Sequence, residues 1–410
     1  MTEAFFDSIP HDVLKICQRL RDEDQRGWVV GGCVRDLLRG ASAKDWDIAT
    51  DAEPERVQRL FRKVIPTGIK HGTVTVLMKG IPYEVTTLRG EGAYEDGRRP
   101  SSVVFLQDIT EDLARRDFTF NAIALDPLDR QVIDPFGGEK DLRDRRLRAV
   151  GDPHARFCED GLRILRAARF AATLECEVDA PTLQAMGAPE PLATLAKVSA
   201  ERIHDEWLKT MRAARPSIAF DLMIRQGVMA VIAPELADRA PTDMERSLRA
   251  MDRLDAPVPR LAALLVGLGP DPAERLLQRL KFSNEHRKGI TMAIRHHGVD
   301  LRLEGAALRR WLQAVTPAHL EGALALALAL ADAAGPAEAL GSRARAELAA
   351  GVPLTTKDLA ITGKDLMNEL SLEPGPFLGV QLQALLEACV EDPSLNTREA
   401  LLDRARREAP

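Results

Sequence analysis

The sequence is poor in aromatic residues and in cysteine. Phe, Trp and Tyr make up 4% of its 410 residues, although hydrophobic residues as a whole make up 45%. This composition favours a mainly helical chain over a β-sandwich. The five cysteines are scattered, and none is spaced as Cys-x-x-Cys. The sequence therefore predicts neither a zinc site nor a disulfide framework.

Long hydrophobic runs and a secretion signal are also missing. The apolar run from Gly322 to Ala331 ends at Asp332 and is too short to cross a bilayer, which takes about 20 residues. The N-terminus carries acidic residues early and has no apolar core segment of a signal peptide. We therefore expect no membrane association and a cytoplasmic location.

Positive charge is not in excess. Lys and Arg number 56 against 62 Asp and Glu, which gives a formal net charge of −6. This balance argues against nucleic-acid binding through overall charge, but a local basic groove stays possible because net charge averages over the whole surface. At this length the chain should form two to four domains.

The most informative stretch is Lys44 to Thr50, which contains Asp45-x-Asp47. We read Asp45 to Ala49 as a strand, in which Asp45 and Asp47 point to one side. Two nearby carboxylates repel each other, and a hard divalent cation relieves that repulsion. Such a pair alone is also typical of a surface or capping role. The preceding strand end, Gly31-Gly32 and helix start favour a site for a metal-bound triphosphate.

A third carboxylate lies on a later strand. Residues Tyr83 to Leu88 read as a strand on which Glu84 and Thr86 share a face. If the sheet places this strand beside the Asp45 strand, Glu84 completes a three-acid cluster. A solvated strand face explains Glu84 as well, so both interpretations stay open here.

Each of two further segments fits a functional role and also an ordinary surface role. Residues 89–101 are rich in glycine and charge, which is typical of a mobile surface loop or of a functional loop. Arg115-Arg116 is suited to hold phosphates by paired hydrogen bonds, but two solvated arginines would look the same.

From about residue 150 the pattern becomes helical. Asp160, Arg163, Arg166 and Arg169 recur every three residues, so on one helix they would form a broad polar stripe. Solvent exposure is the usual explanation of such a stripe.

Taken together, these motifs resemble those of the class II tRNA nucleotidyltransferases, the CCA-adding enzyme family. Bacterial poly(A) polymerases share this family within the DNA polymerase β-like superfamily. The resemblance covers about residues 27–210 and weakens after that. The motifs that carry it are Gly31-Gly32-x-Val34-Arg35-Asp36, Asp45-x-Asp47, Glu84-Val85-Thr86-Thr87-x-Arg89, Arg115-Arg116-Asp117-Phe118-Thr119-x-Asn121-Ala122 and Glu159-Asp160-x-x-Arg163, with Lys70-His71-Gly72-Thr73 and Ala200-Glu201-Arg202-Ile203 in support.

The resemblance implies an α/β head followed by all-α parts. The head, residues 1–148, would be a polymerase β-like nucleotidyltransferase with a mixed sheet. A helical neck for nucleotide selection (149–215), a helical body (216–330) and a helical tail for tRNA binding (331–410) would follow. Gly161 stands where the family often has proline, which predicts a looser start of the neck helix by up to about 1 kcal/mol.

The resemblance also implies roles for the site residues. Asp45 and Asp47 would hold two Mg²⁺ ions, and Glu84 would shape the metal site or accept the proton of the RNA 3′-hydroxyl. Gly32, Arg35 and Arg116 would bind the triphosphate. Asp160 and Arg163 would read the base, and Arg166 and Arg169 would bind phosphate or steady Asp160.

The base-reading role follows from donor and acceptor patterns. Cytosine and adenine both present an amino group next to a ring-nitrogen acceptor, whereas uracil and guanine present a carbonyl next to an N–H. An Asp carboxylate accepts from the amino group and an Arg donates to the ring nitrogen. Asp160 and Arg163 would thus accept CTP and ATP and reject UTP and GTP.

Several functions remain open at this point. The leading hypothesis is addition of CCA, or its terminal part, to the tRNA 3′ end from CTP and ATP, with release of pyrophosphate. An A-adding tRNA nucleotidyltransferase and a poly(A) polymerase would use the same acids. The loop at 89–101 looks intact, which disfavours an enzyme that adds only CC. A non-catalytic RNA-binding protein is the distant alternative.

Overall fold

The computed structural model describes residues 3–69, 72–90, 104–331, 334–370 and 373–408. The chain separates into two compact units, Met1–Ala237 and Asp238–Pro410. A mixed sheet in the first unit is followed by a long series of helices, which confirms the predicted fold class. Lys70, His71 and most of the loop predicted at 89–101 lie outside the described residues.

The first unit is built on a seven-stranded sheet. The described strands are β1 Gly27–Val30, β2 Asp47–Thr50, β3 Val64–Gly68, β4 Thr73–Met78, β5 Ile81–Thr87, β6 Arg89–Gly90, β7 Val104–Phe105, β8 Ala124–Asp126, β9 Gln131–Ile133, β10 Arg146–Leu147 and β11 Glu177–Val178. The strand order is β3-β4-β5-β2-β1-β8-β9. Strands β2 and β5 run parallel, and the other described neighbours in this sheet run antiparallel.

The pairing of β2 with β5 brings the acidic motifs together. Asp47 is the register partner of Glu84. On β5, Tyr83 and Val85 are buried while Glu84 is exposed, as the predicted alternation requires. One detail of the prediction is wrong: β2 begins at Asp47, so Asp45 lies in the bend before the strand and not on it.

Helices surround this sheet and continue beyond it. In the first unit they are α1 His11–Arg21, α2 Gly32–Leu38, α3 Pro54–Leu60, α4 Ile109–Ala114, α5 Gly138–Arg143, α6 Pro153–Glu159, α7 Leu162–Thr173, α8 Ala180–Met186, α9 Pro189–Leu195, α10 Ala200–Thr210, α11 Ser217–Arg225, α12 Val228–Ile232 and α13 Pro234–Ala237. Helix α1 packs Val13, Ile16 and Leu20 into the same core as Val29 of β1 and Ile48 of β2.

The predicted polar stripe is interrupted. Helix α6 ends at Glu159 and α7 begins at Leu162, so Asp160 lies between two helices and not on one with Arg163. The break lies at Asp160, whose backbone is extended (φ −147°, ψ 105°), while Gly161 is already helical. A Cβ at Gly161 would collide with the backbone of Leu195 at the end of α9, so Gly161 permits a close approach of α9. The predicted loosening of the helix start stays a prediction.

The second unit consists of helices. They are α14 Pro241–Asp252, α15 Pro257–Leu265, α16 Pro270–Arg279, α17 Asn284–His296, α18 Gly305–Val315, α19 Leu320–Leu330, α20 Ala334–Ala349, α21 Gly363–Leu370, α22 Pro376–Glu391 and α23 Arg398–Glu408. One apolar cluster includes Leu312 and Leu340, and a second includes Leu366 and Leu401. No helix in the described ranges is long and apolar enough to cross a membrane.

Candidate active site

An open cleft of about 850 Å³ lies in the first unit. It is lined by the starts of α2 and β2, by β5, by the segment after α4, and by one side of α7. All ten residues predicted for the site line this cleft, namely Gly32, Arg35, Asp45, Asp47, Glu84, Arg116, Asp160, Arg163, Arg166 and Arg169. The fold thus brings together motifs that are more than 100 residues apart in sequence.

The acidic wall of the cleft carries uncompensated negative charge. Burial raises the pKa of Asp47 to about 6, and the charges of Glu84 and Asp45 add to that rise while Arg116 opposes it. Within the described ranges, no three acidic, His or Cys side chains are grouped so as to hold one metal ion. Glu84 is the register partner of Asp47, and the charges of Glu84 and Asp45 both act on Asp47, as expected if the three acids lie close together. The metal-ligand role of Asp45 and Asp47 stays a prediction.

The glycine pair allows the backbone to pass close to the acids. Gly31 has φ +81°, a conformation that favours glycine. A Cβ at Gly31 would lie 3.3 Å from Asp47 Oδ2 and 3.6 Å from Arg116 Nη1. Gly32 then begins α2. A side chain at Gly31 would thus intrude between an acid and a cation of the cleft.

Arg116 lies beside the acids, and two hydrogen bonds hold its guanidinium group. Its Nη2 donates to Asp112 Oδ2 (3.2 Å) and its Nη1 to the Asn121 carbonyl (3.4 Å). Its Nε is buried and has no hydrogen-bond partner in the described part of the protein. A buried donor without a partner costs about 1–3 kcal/mol, so this arginine is suited to an anionic ligand that supplies an acceptor.

Asp160 is oriented by two donors from different helices. Its Oδ1 accepts from the Leu162 N–H (3.0 Å), and its Oδ2 accepts from Arg202 Nη2 (2.7 Å). Arg202 on α10 was not among the predicted site residues, and neither Arg166 nor Arg169 has a hydrogen bond to Asp160 in the described ranges. The signal was present, because Arg202 belongs to the supporting motif at 200–203.

Arg163 is also fixed. Its Nη1 donates to the Arg156 carbonyl (2.9 Å) and to the Glu159 carboxylate, and its Nη2 donates to the Arg115 carbonyl (3.0 Å). Its side chain is 12% exposed. The residue is therefore a guanidinium of defined position at the cleft wall.

Arg166 and Arg169 pair with buried acids. Arg166 Nε donates to Asp117 Oδ2 (2.7 Å), and Arg169 Nε donates to Glu206 Oε2 (2.6 Å). Burial alone would raise the pKa of Asp117, but the Arg166 charge and hydrogen bonds from Asn121 and the Phe118 N–H outweigh burial and hold the pKa below its usual value. The pair joins α7 to the segment after α4.

Three guanidinium groups gather around one aromatic ring. The guanidinium carbons of Arg35, Arg166 and Arg169 lie 5.3, 5.4 and 4.0 Å from the ring centroid of Phe170. Cations favour the face of an aromatic ring, but like charges repel one another. The arrangement is suited to a polyanion such as a triphosphate.

Family models match most of the chain. A "Poly A polymerase head domain" matches residues 27–148, a "Probable RNA and SrmB- binding site of polymerase A" matches residues 177–239, and a "tRNA nucleotidyltransferase domain 2 putative" matches residues 260–405. The first of these contains the sheet and the acidic wall of the cleft.

Whole-length relatives agree with these matches. A CCA-adding enzyme of Pediococcus pentosaceus is 36% identical over 397 residues, which is 96% of each chain. One from a Geobacillus species is 36% identical over 394 residues, 95% of this chain and 94% of the relative. The structure of the Bacillus stearothermophilus CCA-adding enzyme in complex with CTP has a TM-score of 0.80 at 34% identity and covers 96% of this chain and 97% of its own. The chain therefore belongs to the family of CCA-adding enzymes, which are nucleotidyltransferases.

Proposed function

We propose that this protein adds C, C and A to the 3′ end of tRNA without a nucleic-acid template, using CTP and ATP and releasing pyrophosphate. The observation that carries the proposal is one cleft with an acidic wall at Asp47 and Glu84 and a polar wall at Asp160 and Arg163. The whole-length likeness to CCA-adding enzymes favours this product over A-only addition and over poly(A) synthesis. The intact acids disfavour a non-catalytic RNA-binding protein.

We assign Asp45 and Asp47 as the residues that would hold Mg²⁺. Their oxygen donors are those that Mg²⁺ prefers. Burial, and after it the charges of Glu84 and Asp45, raise the pKa of Asp47, and a cation bound there would favour the charged carboxylate. Bound there, the metal would activate the 3′-hydroxyl and neutralise the triphosphate. This assignment concerns these two ligands alone.

In the reaction, the RNA 3′-oxygen forms a bond to the α-phosphorus of the nucleotide. The bond between the α-phosphorus and the oxygen that bridges to the β-phosphate breaks. The electron pair leaves with pyrophosphate, and the proton of the hydroxyl needs an acceptor. We propose Glu84 for that acceptor or for shaping the acidic wall, because it is exposed and next to Asp47.

The basic residues then have a common use. Arg116 offers its unpaired Nε to a phosphate oxygen, and Arg35, Arg166 and Arg169 place positive charge around Phe170. Gly32 lets the backbone approach the same region. We propose that these residues orient the triphosphate and favour its departure as pyrophosphate.

Base choice rests on Asp160 and Arg163. Arg202 and the Leu162 N–H orient the carboxylate, while Glu159 and two carbonyls orient the guanidinium. Asp160 then offers an acceptor to the amino group of cytosine or adenine, and Arg163 offers a donor to the ring nitrogen. Uracil or guanine would face unpaired polar groups, at about 1–3 kcal/mol each.

Two further predictions belong with this proposal. The division into head (1–148), neck (149–215), body (216–330) and tail (331–410) stays a prediction, since the chain forms two compact units, Met1–Ala237 and Asp238–Pro410. The cytoplasmic location also stays a prediction.

The direct test supplies the purified protein with Mg²⁺ and a tRNA that lacks its terminal CCA. CTP and ATP together should extend it by three residues ending in A, whereas CTP alone should stop earlier. Extension only of a tRNA that already ends in CC would indicate A addition, and long A tracts on unrelated RNA would indicate a poly(A) polymerase. Either result would contradict the proposal.

A further inference from the structure

A second cavity, of about 460 Å³, lies in the first unit. It shares two helices with the catalytic cleft. Helix α2 contributes Arg35 to the cleft and Leu38 to the second cavity, and α7 contributes Phe170 to the cleft and Thr173 to the second cavity. The family-level role of the cleft does not account for this cavity, whose volume lies in the range of small-ligand sites.

The polar lining of this second cavity is positive by one charge. Arg39, Arg143 and Arg145 face Glu139 and Glu175. Arg143 pairs with Glu139 (2.9 Å), and the contact of Arg145 with Glu175 is longer (3.5 Å). Arg39 has no ion-pair partner among the residues that the structure describes. At least one guanidinium is therefore available to an anion.

Two further observations point to a ligand. Thr173 Oγ1 is buried and has no hydrogen-bond partner in the described ranges, which is costly unless a ligand supplies one. Arg145 and Glu175 both have φ +51°, in the left-handed region that non-glycine residues seldom adopt. Neighbouring strain of this kind concentrates at functional sites.

The apolar part of the lining complements the charges. Leu142 and Leu174 are buried and belong to the wall, and the exposed Ala214 also lines it. Cys176 lines the same cavity as Arg39 and Arg145. Burial raises the pKa of its thiol, and the charges of Arg39, Arg145 and Arg35 act against that rise.

We infer that the second cavity is a binding site for a small phosphate ester, such as a nucleoside monophosphate. The phosphate lies on Arg39 and Arg145, the Thr173 hydroxyl bonds to it or to the sugar, and the apolar part packs on Leu142 and Leu174. A guanidinium fork matches phosphate geometry. This inference is independent of the proposed function of the cleft.

Cys176 lines the cavity and supplies a local readout. Because the residue is 7% exposed and its pKa is raised, the modification is carried out at alkaline pH, where more of the thiol is ionised. The full-length protein is treated with N-ethylmaleimide, and modification of Cys176 is followed by mass spectrometry with 5′-AMP as the probe. At about ten times Kd, 5′-AMP should slow the modification about tenfold, since only unliganded protein reacts. Inorganic phosphate should also protect, at higher concentration.

Variants separate the cavity from the cleft. The double variant Arg39→Ala/Arg145→Ala should react more slowly than the wild type without ligand, because the two charges that lower the pKa of Cys176 are gone, and 5′-AMP should slow it no further. Ala214→Trp should block 5′-AMP with all charges kept. Arg59→Ala, which removes an exposed arginine of α3 outside both cavities, should keep full protection. All variants should still add CCA if the proposed function holds.

Three results would overturn the inference: no protection of wild-type Cys176 by 5′-AMP, protection that survives in the double variant, or protection only by a single-stranded RNA without a terminal phosphate. The second would mean that 5′-AMP acts from the cleft. The third would assign the cavity to an RNA backbone.

Discussion

Arg202 Nη2 donates to Asp160 Oδ2 across 2.7 Å, and this contact joins α10 to the break between α6 and α7. The Arg202 and Asp160 side chains are 33% and 25% exposed. The bond is thus accessible enough to share Asp160 with a nucleotide, yet it defines where the carboxylate points.

We therefore expect Arg202→Ala to weaken base discrimination more than it weakens catalysis. Hydrogen bonds to charged groups contribute about 1.5–3 kcal/mol, so the preference for CTP over UTP should fall roughly tenfold to a hundredfold. Arg202→Lys should restore part of it. The measurement is kcat/KM for each nucleotide, with Arg212→Ala as the matched surface control. Unchanged discrimination in Arg202→Ala would contradict the positioning role.

Asp47→Asn should abolish incorporation and also alter the response of stability to Mg²⁺. The wild-type carboxylates repel one another across β2 and β5, so removal of one charge should keep or raise the Tm in EDTA. Added MgCl₂ should raise the Tm of the wild type, because a ligand stabilises the state that binds it.

Added MgCl₂ should raise the Tm of Asp47→Asn much less than that of the wild type. Asp51→Asn, immediately after the end of β2, is the control for a change of charge nearby. An equal Mg²⁺-induced rise in the wild type and in Asp47→Asn would mean that the metal binds elsewhere.

Asp117→Asn should lower the free energy of unfolding by about 3–5 kcal/mol at pH 7, since it leaves Arg166 without its charged partner. The pKa of Asp117 is lowered in the folded protein. Its contribution is therefore fully present above the unfolded value of about 3.9 and is lost only as pH falls below it.

Urea unfolding at pH 7, 6 and 5 should thus give a constant difference between the wild type and Asp117→Asn. The exposed pair Asp7–Arg130 is the control, and Asp7→Asn should cost less than about 1 kcal/mol. A difference that disappears between pH 7 and 5 would contradict the lowered pKa of Asp117.

Gly161→Ala should destabilise the first unit by about 1–3 kcal/mol or more, because the new methyl group collides with the Leu195 backbone. Gly379→Ala on α22 is the matched control. Its Cβ would enter open space, so it should stabilise by about 0.5–1 kcal/mol. Thermal unfolding measures both, and a neutral Gly161→Ala would show that α9 can shift.

The sequence predicted the site better than it predicted the local structure around it. Alternation on β5 placed Glu84 correctly, because a strand has only two faces. Asp45 was assigned to β2 because sequence spacing does not show where hydrogen bonding starts. Motif order identified the residues of the cleft, but not their partners.

The missed features depend on contacts distant in sequence. The close approach at Gly161 involves Leu195, 34 positions further along the chain. Arg202 meets Asp160 only because α10 packs against α7. Every-third-residue spacing suggested one stripe, but Arg166 and Arg169 instead pair with Asp117 and Glu206, which no local pattern relates to them.

The most direct test of the shared cleft compares single-turnover incorporation of CTP and UTP by the wild type, Asp47→Asn and Asp160→Ala on a tRNA that lacks CCA. We expect the wild type to use CTP only, Asp47→Asn to use neither, and Asp160→Ala to use both at comparable, reduced rates. Full activity of Asp47→Asn, or an undiminished preference for CTP in Asp160→Ala, would contradict the account.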